Sequence, residues 1–140
     1  MPLVRISVYH SMSASMREVT ASEVYEAMRG TIGIPEGDKF IALTAHEPSE
    51  LFVDPHFMGM QRTGRFILLH IFLSEGRTVK QKQALYKAIA RRLQAALGIS
   101  TDDVMTVLTE NTFVDWSFGK GEAQYVLNPP AWAHKAKERN

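Results

Sequence analysis

The chain has 140 residues, a formal net charge of +1, 45% hydrophobic and 22% charged residues, and no cysteine. That length fits one domain and the composition is globular; the balanced charge argues against a nucleic-acid or anionic-membrane partner, and the missing thiols exclude disulfides, thiolate nucleophiles and cysteine-ligated zinc. No apolar run is long enough to span a bilayer and the N-terminus lacks the basic-then-apolar layout of a signal peptide, so a cytoplasmic protein is expected.

The first predicted element is a strand over Leu3–Tyr9, rich in Val and Ile. A helix follows from about Ala14 to Thr31, with Ser13 or Ser15 as N-cap and Gly33 as C-terminal stop. Phe40–Ala45 reads as a second strand. His46–Thr63 is a long connection with two prolines and neighbouring acids, and connections of this length often carry function. Arg65–Leu73 is a continuous apolar run, predicted to be a strand covered on both faces. Thr78 and Gln81 form a capping box, after which Leu85, Ile89, Leu93 and Leu97 recur every four residues as a core-facing helix stripe ended by Gly98. Lys80, Lys82, Lys87, Arg91 and Arg92 lie in that helix and read as its solvated face. Val104–Leu108 is the last strand. Asp115–Tyr125, an aromatic and glycine-rich stretch, reads as a turn or hairpin, and residues 128–140 as a peripheral tail.

Shifted by 65 positions, the chain matches itself without a gap. Leu3 falls on Leu68, Ile6 on Ile71, Gly33-Ile34 on Gly98-Ile99, Asp38 on Asp103 and Leu43-Thr44 on Leu108-Thr109. The apolar pairs Val24/Ile89, Met28/Leu93 and Ile32/Leu97 keep the same register. The pattern is a duplication of a strand–helix–strand unit, about residues 2–46 and 67–111, within one domain over 1–127. Each unit implies a parallel strand pair with a right-handed crossover. Two such units make an α/β sandwich: a four-stranded mixed sheet with both helices on one face. The other face would expose apolar side chains unless a second copy covers it, which points to an oligomer.

Pro2 is the first residue with candidate chemistry. Methionine before a small residue is normally trimmed, and the exposed proline would be a secondary amine running straight into a strand, held in place by the sheet. An α-amine titrates near neutrality; an apolar pocket or nearby cations lower its pKa and make it a general base, while an unperturbed one stays cationic. Retention of Met1 would turn that nitrogen into an amide with no basicity. The counterpart of Pro2 in the second unit is Ile67, an internal residue, so at most one unit can use an amine. His70 falls in mid-strand and reads as a hydrogen-bonded core residue rather than a ligand. His10, His46, His56 and His134 show no metal-ligand spacing, and no glycine-rich phosphate loop is present. Neither a metal nor an organic cofactor is expected.

The opening PLVRI, the IGIPEGD and IALTAHEP segments, and DDVMTVLTEN followed by DWSFGKG together resemble the tautomerase superfamily, in its double-length branch that includes malonate semialdehyde decarboxylase. The resemblance runs from Pro2 to about Tyr125. It implies an amino-terminal proline catalyst and a duplicated βαβ fold assembled as a homotrimer. Asp38 matches the family's catalytic aspartate; the alternative is that it satisfies backbone N–H groups in its turn, as Asp103 could. Arg77, at the start of the second helix, matches a substrate-binding arginine, and an arginine there can clamp a carboxylate with paired hydrogen bonds. Trp116 and Phe118 match the apolar wall of the pocket, or are ordinary core or interface aromatics. The decarboxylase carries two arginines in the helix-start segment. Here Ser74-Glu75-Gly76-Arg77 has one, with Arg62 or Arg65 as possible sources of a second charge.

One base and one cation suffice for keto–enol tautomerisation of a small 2-oxo acid: Pro2 moves the proton, Arg77 binds the carboxylate, Asp38 positions the substrate, and Trp116 and Phe118 keep the pocket dry. The second reading is decarboxylation, hydration or dehalogenation of a 3-oxo acid such as malonate semialdehyde, with Pro2 protonated. The third is a non-catalytic oligomer that binds a partner protein.

Overall fold

The computed structural model describes the backbone of residues 1–135 and the side chains of residues 1–133. Four strands and two long helices follow in the order β1 (Pro2–Tyr9), α1 (Ala14–Ile32), β2 (Ile41–His46), β3 (Ile67–Ser74), α2 (Val79–Leu97) and β4 (Val104–Asn111); two short helices, α3 (Gln124–Leu127) and α4 (Ala131–Lys135), close the described chain. The sheet order is β2-β1-β3-β4. β1 pairs with β2 in parallel, β3 with β4 in parallel, and β1 with β3 antiparallel. The two parallel pairs have the same register: Val4 lies opposite Ile41 as Ile67 lies opposite Val104, at equal sequence separation.

The local signals act where the sequence places them. Ser13 is the N-cap of α1 and accepts from the Met16 N–H. Thr78 and Gln81 make both bonds of the capping box. Gly33 and Gly98 end their helices at φ 66° and φ 65°, a left-handed conformation that glycine adopts without a Cβ penalty. β4 runs three residues beyond the expected end, because Thr109, Glu110 and Asn111 continue the ladder against Phe72, Leu73 and Ser74. Pairing overrides the weak strand preference of Glu and Asn.

The core lies between the sheet and both helices. Val4, Ile6 and Val8 of β1 and Ile67, Leu69, Ile71 and Leu73 of β3 meet Val24, Ala27 and Met28 of α1 and Leu85, Ile89 and Leu93 of α2, all at most 1% exposed. Strand alternation sends the intervening residues to the helix-free face. There Leu3, Arg5, Met105 and Val107 are exposed, and Leu68, His70 and Phe72 are half-buried. Within one chain β3 is therefore covered on one face, not both. Its unbroken apolar run puts apolar side chains on the open face as well.

The segment 115–125 makes a tight reversal with one antiparallel bridge, Gly119 to Glu122. From the tail, Trp132 packs edge-on against Tyr125 with ring centroids 5.6 Å apart, and Ala133 is buried. Residues 136–140, the end of the expected tail, lie outside the described residues. No described helix is long and apolar enough to cross a membrane.

Candidate active site

Three chain segments meet at the end of the sheet where β1 begins. The turn between α1 and β2 brings Asp38: its N–H donates to the Pro35 carbonyl at 3.2 Å, Gly37 turns at φ 86°, and the Gly37 N–H donates to the Tyr25 hydroxyl at 2.9 Å. The Val4 N–H donates to the Phe40 carbonyl at 2.9 Å, tying that turn to β1. The link from β3 to α2 brings Arg77. The Glu75 N–H donates to the Asn111 carbonyl at 2.7 Å, Gly76 bends the chain at φ 117°, and Arg77 Nη1 donates to the Ser74 carbonyl at 2.9 Å.

The third component is the amino terminus. Met1 is present, so the charged amine at the site is that of Met1 and stands in for the secondary amine that Pro2 would carry one residue further along the strand. The Met1 amine lies 3.8 Å from Asp38 Oδ2, with side-chain exposures of 8% for Met1 and 11% for Asp38. Burial pushes the amine below its ordinary value, Asp38 pulls it back up, and Arg77 lowers it further. Burial pushes the Asp38 carboxyl above its ordinary range, against the pull of the terminus and Arg77. Burial lowers the Arg77 guanidinium, with Asp38 and Tyr125 opposing. All three groups are thus held where charge is poorly solvated.

Asp38 Oδ1 is buried and has no hydrogen-bond partner among the described residues, whereas Asp103, its counterpart in the second unit, is fully engaged. Asp103 Oδ1 accepts from the Thr63 N–H at 2.7 Å and Oδ2 accepts from the Thr63 hydroxyl at 2.6 Å. The two positions share a fold location and differ in use. Asp103 is a buried structural turn residue; Asp38 is a part-buried carboxylate with spare acceptor capacity facing an amine.

Beside Met1 opens a pocket of about 400 Å³ on the helix-free side of the sheet, walled by Leu3, Phe40, Phe72, Trp116 and Phe118. Trp116 Nε1 donates to Asn111 Oδ1 at 2.9 Å, which fixes the indole at the end of β4. Trp116 stacks on Phe118 at 5.8 Å, and Phe118 meets Tyr125 edge-on at 4.8 Å. The structure therefore gathers Asp38, Arg77, the amino-terminal end of β1, Trp116 and Phe118 at one place. It also adds Tyr125, which sequence reasoning missed. The Tyr125 phenol is pushed above its ordinary range by burial and by Asp38, against the pull of Arg77, which places it among the site's charges. Its only signal in the sequence is its place in the aromatic stretch that carries Trp116 and Phe118.

Arg62 and Arg65 do not supply a second cation within the chain. Arg62 Nε donates to the Asp102 carbonyl at 3.1 Å, and Arg65 donates to the Leu97 and Gly98 carbonyls at 2.9 and 3.3 Å. They sit at the far end of α2, some ~28 Å of helix away from Arg77. The corresponding place in the second unit is a pocket of about 320 Å³ lined by Met12 and Phe66, which stand in the repeat where Arg77 and Met1 stand. Among the described residues the amine, acid and arginine come together at this one place.

A duplicated βαβ sheet with its helices on one face is a tautomerase-type α+β fold. The family described as "Tautomerase enzyme" matches residues 38–119. The probable tautomerase YusQ of Bacillus subtilis (strain 168) is 36% identical over 126 residues, covering 90% of this chain and 99% of that protein. FG41 malonate semialdehyde decarboxylase, solved after inhibition by 3-bromopropiolate, superposes with a TM-score of 0.86 at 38% identity, over 92% of this chain and 98% of that one. A second malonate semialdehyde decarboxylase, described with decarboxylase and hydratase activities, gives a TM-score of 0.86 at 27% identity, over 91% and 98%. The chain belongs to the tautomerase family.

Proposed function

We propose that the protein is a keto–enol tautomerase of a small 2-oxo acid, with the Pro2 amine, freed by loss of Met1, as general base. The observation that carries this reading is the part-buried Asp38 carboxylate at the amino terminus, whose Oδ2 faces the Met1 amine while Oδ1 has no hydrogen-bond partner among the described residues, at a place where burial lowers the basicity of that amine. A lowered pKa favours the neutral amine, the form that a base requires. Pro2 takes a proton from the carbon beside the carbonyl and returns it to the enolate at the other position. Arg77 pairs with the substrate carboxylate and balances the developing enolate charge. Asp38 orients substrate through its free acceptor, and Trp116 and Phe118 exclude water. No cofactor is invoked. A homotrimer in the cytoplasm is the setting we assign, with the helix-free sheet face buried between copies.

The test is the ketonisation rate of phenylenolpyruvate, measured for wild type and Pro2→Ala on samples whose mass confirms Met1 removal. A wild-type rate well above background that falls by roughly 10²-fold or more in Pro2→Ala is the expected result. Equal rates in the two proteins would remove the amine from the mechanism.

The likeness to FG41 malonate semialdehyde decarboxylase favours a second reading, decarboxylation or hydration of a 3-oxo acid. It needs Pro2 protonated to polarise the carbonyl, and it has a single arginine to work with. The two readings predict opposite pH limbs.

A further inference from the structure

Two side-chain oxygens at the end of the sheet where β1 begins are buried without a hydrogen-bond partner among the described residues: Asp38 Oδ1 and Ser74 Oγ. The proposed reaction uses the first; nothing so far uses the second. Ser74 is 0% exposed and is the last residue of β3. It follows Leu68, His70 and Phe72 in the strand alternation, which puts it in the helix-free row. β1 and β3 pair antiparallel with Pro2 opposite Leu73, so the register continued by one residue sets Met1 opposite Ser74. On its other side Ser74 is paired with Asn111. Met1 and Asn111 both line the pocket of about 400 Å³, and Ser74 stands between them.

A buried hydroxyl normally finds a partner, and one that has none calls for a reason. The second unit is the comparison. The repeat sets Tyr9 where Ser74 stands and Phe66 where Met1 stands. The Tyr9 hydroxyl donates to the Leu51 carbonyl at 2.8 Å, and Asp103 closes on Thr63. In the second unit both polar positions are thus satisfied within the chain, and in the first both keep bonding capacity unused. Phe66 is moreover an internal residue, whereas Met1 is the residue whose loss frees the Pro2 amine. The same loss removes the side chain that stands beside Ser74. An unused acceptor and an unused donor then face one pocket next to the amine.

Arg77 narrows what the hydroxyl meets. Its Nη1 donates to the Ser74 carbonyl at 2.9 Å, so the guanidinium lies against the same residue. A carboxylate offers two oxygens with about four lone-pair sites, and Arg77 has already given one N–H to the backbone. Arg62 and Arg65 are tied to carbonyls at the far end of α2. A hydroxyl beside the guanidinium supplies a further donor, and its bond to an ionised acceptor is of the strong kind.

We propose that Ser74 is a substrate-binding residue: once Met1 is gone, its hydroxyl donates to the carboxylate that Arg77 pairs with. This rests on the 2-oxo acid reading above and adds a residue to that site. The test is titration calorimetry of phenylpyruvate, the ketonised product, with thermal melts of the same samples, for wild type and Ser74→Ala whose mass confirms Met1 removal. Ser74→Ala weakens phenylpyruvate binding by roughly tenfold or more. It weakens 3-phenyllactate, which keeps the carboxylate and lacks the 2-oxo group, by the same factor. Its Tm equals or exceeds that of wild type, because the lost hydroxyl bonded to nothing within the chain. Equal affinities in the two proteins overturn the assignment, and so does a lowered Tm, which makes the hydroxyl structural. A loss confined to phenylpyruvate puts the hydroxyl on the 2-oxo oxygen and overturns the carboxylate bond. Binding is read without turnover, so equal ketonisation rates in wild type and Pro2→Ala leave this result intact. A wild type that binds neither acid overturns both readings.

Discussion

At neutral pH Asp38 and Asp103 have opposite consequences for the fold. Asp38 has its pKa raised by burial, so its ionised form is disfavoured in the folded state. The folded chain then binds the proton more tightly than the unfolded chain, and stability falls as pH rises from the unfolded carboxyl range through the raised value. Above that window the cost is fully present. Asp38→Asn is expected to raise Tm by a few degrees, on the order of 1 kcal/mol, while lowering turnover; thermal melts and phenylenolpyruvate kinetics on one sample check both halves. Asp103→Asn should destabilise by about 1–3 kcal/mol, since one of the two buried acceptors holding Thr63 becomes an NH2 donor, and should leave the chemistry intact. The amine has the other sign. Burial holds the Met1 amine below its ordinary range; a Pro2 amine that shares this environment and acts as a base gives a kcat/KM that climbs with pH and levels once the amine is neutral, with its midpoint below that of a free α-amine. A profile that instead declines through that midpoint identifies the protonated amine as the working form and transfers the assignment to the decarboxylase reading.

At the level of elements, the start of α2 does two jobs. Thr78 caps the helix, and Arg77, the residue before it, folds back onto the Ser74 carbonyl at 2.9 Å. Thr78→Ala should therefore cost about 1 kcal/mol of stability and also raise KM for a carboxylate substrate, because the arginine loses its fixed platform. Urea unfolding and steady-state kinetics separate the two effects; a stability loss with KM unchanged would show that Arg77 is held by Ser74 alone. This element was legible in the sequence because capping boxes and four-residue stripes are local patterns. So was the duplication, whose constant offset appears as equal register in both parallel pairs. The site was legible only where a motif carried it. Nothing local reports that Asp103 closes on Thr63 forty residues away, that Arg65 caps the far end of α2, or that Tyr125 comes among the site's charges. Those are contacts between segments, and periodicity carries no information about them. The apolar run of β3 predicted two covered faces; in the single chain one is covered by the helices, and Leu68, His70 and Phe72 on the other are half-buried.

On the scale of the whole molecule, duplication produced a nearly symmetric frame with an asymmetric use. Both units share strand register, caps and helix stripes, and the core they enclose is continuous across them. At the place in the second unit equivalent to Pro2, Ile67 is an internal strand residue, and Met12 stands in the repeat where Arg77 stands. A frame of this kind covers its sheet on one side only. Leu3, Met105 and Val107 remain 38%, 39% and 41% exposed on the other, beside an open apolar pocket. If that face is buried between copies, association and folding are linked, and the melting temperature must depend on protein concentration. Scanning calorimetry across a hundredfold range of concentration should show Tm rising by several degrees toward the high end. Monomeric folding predicts a constant Tm over the same range. A variant that melts lower at every concentration, with the slope preserved, has damaged the subunit itself. The slope therefore separates assembly from folding in a way that Tm at a single concentration does not.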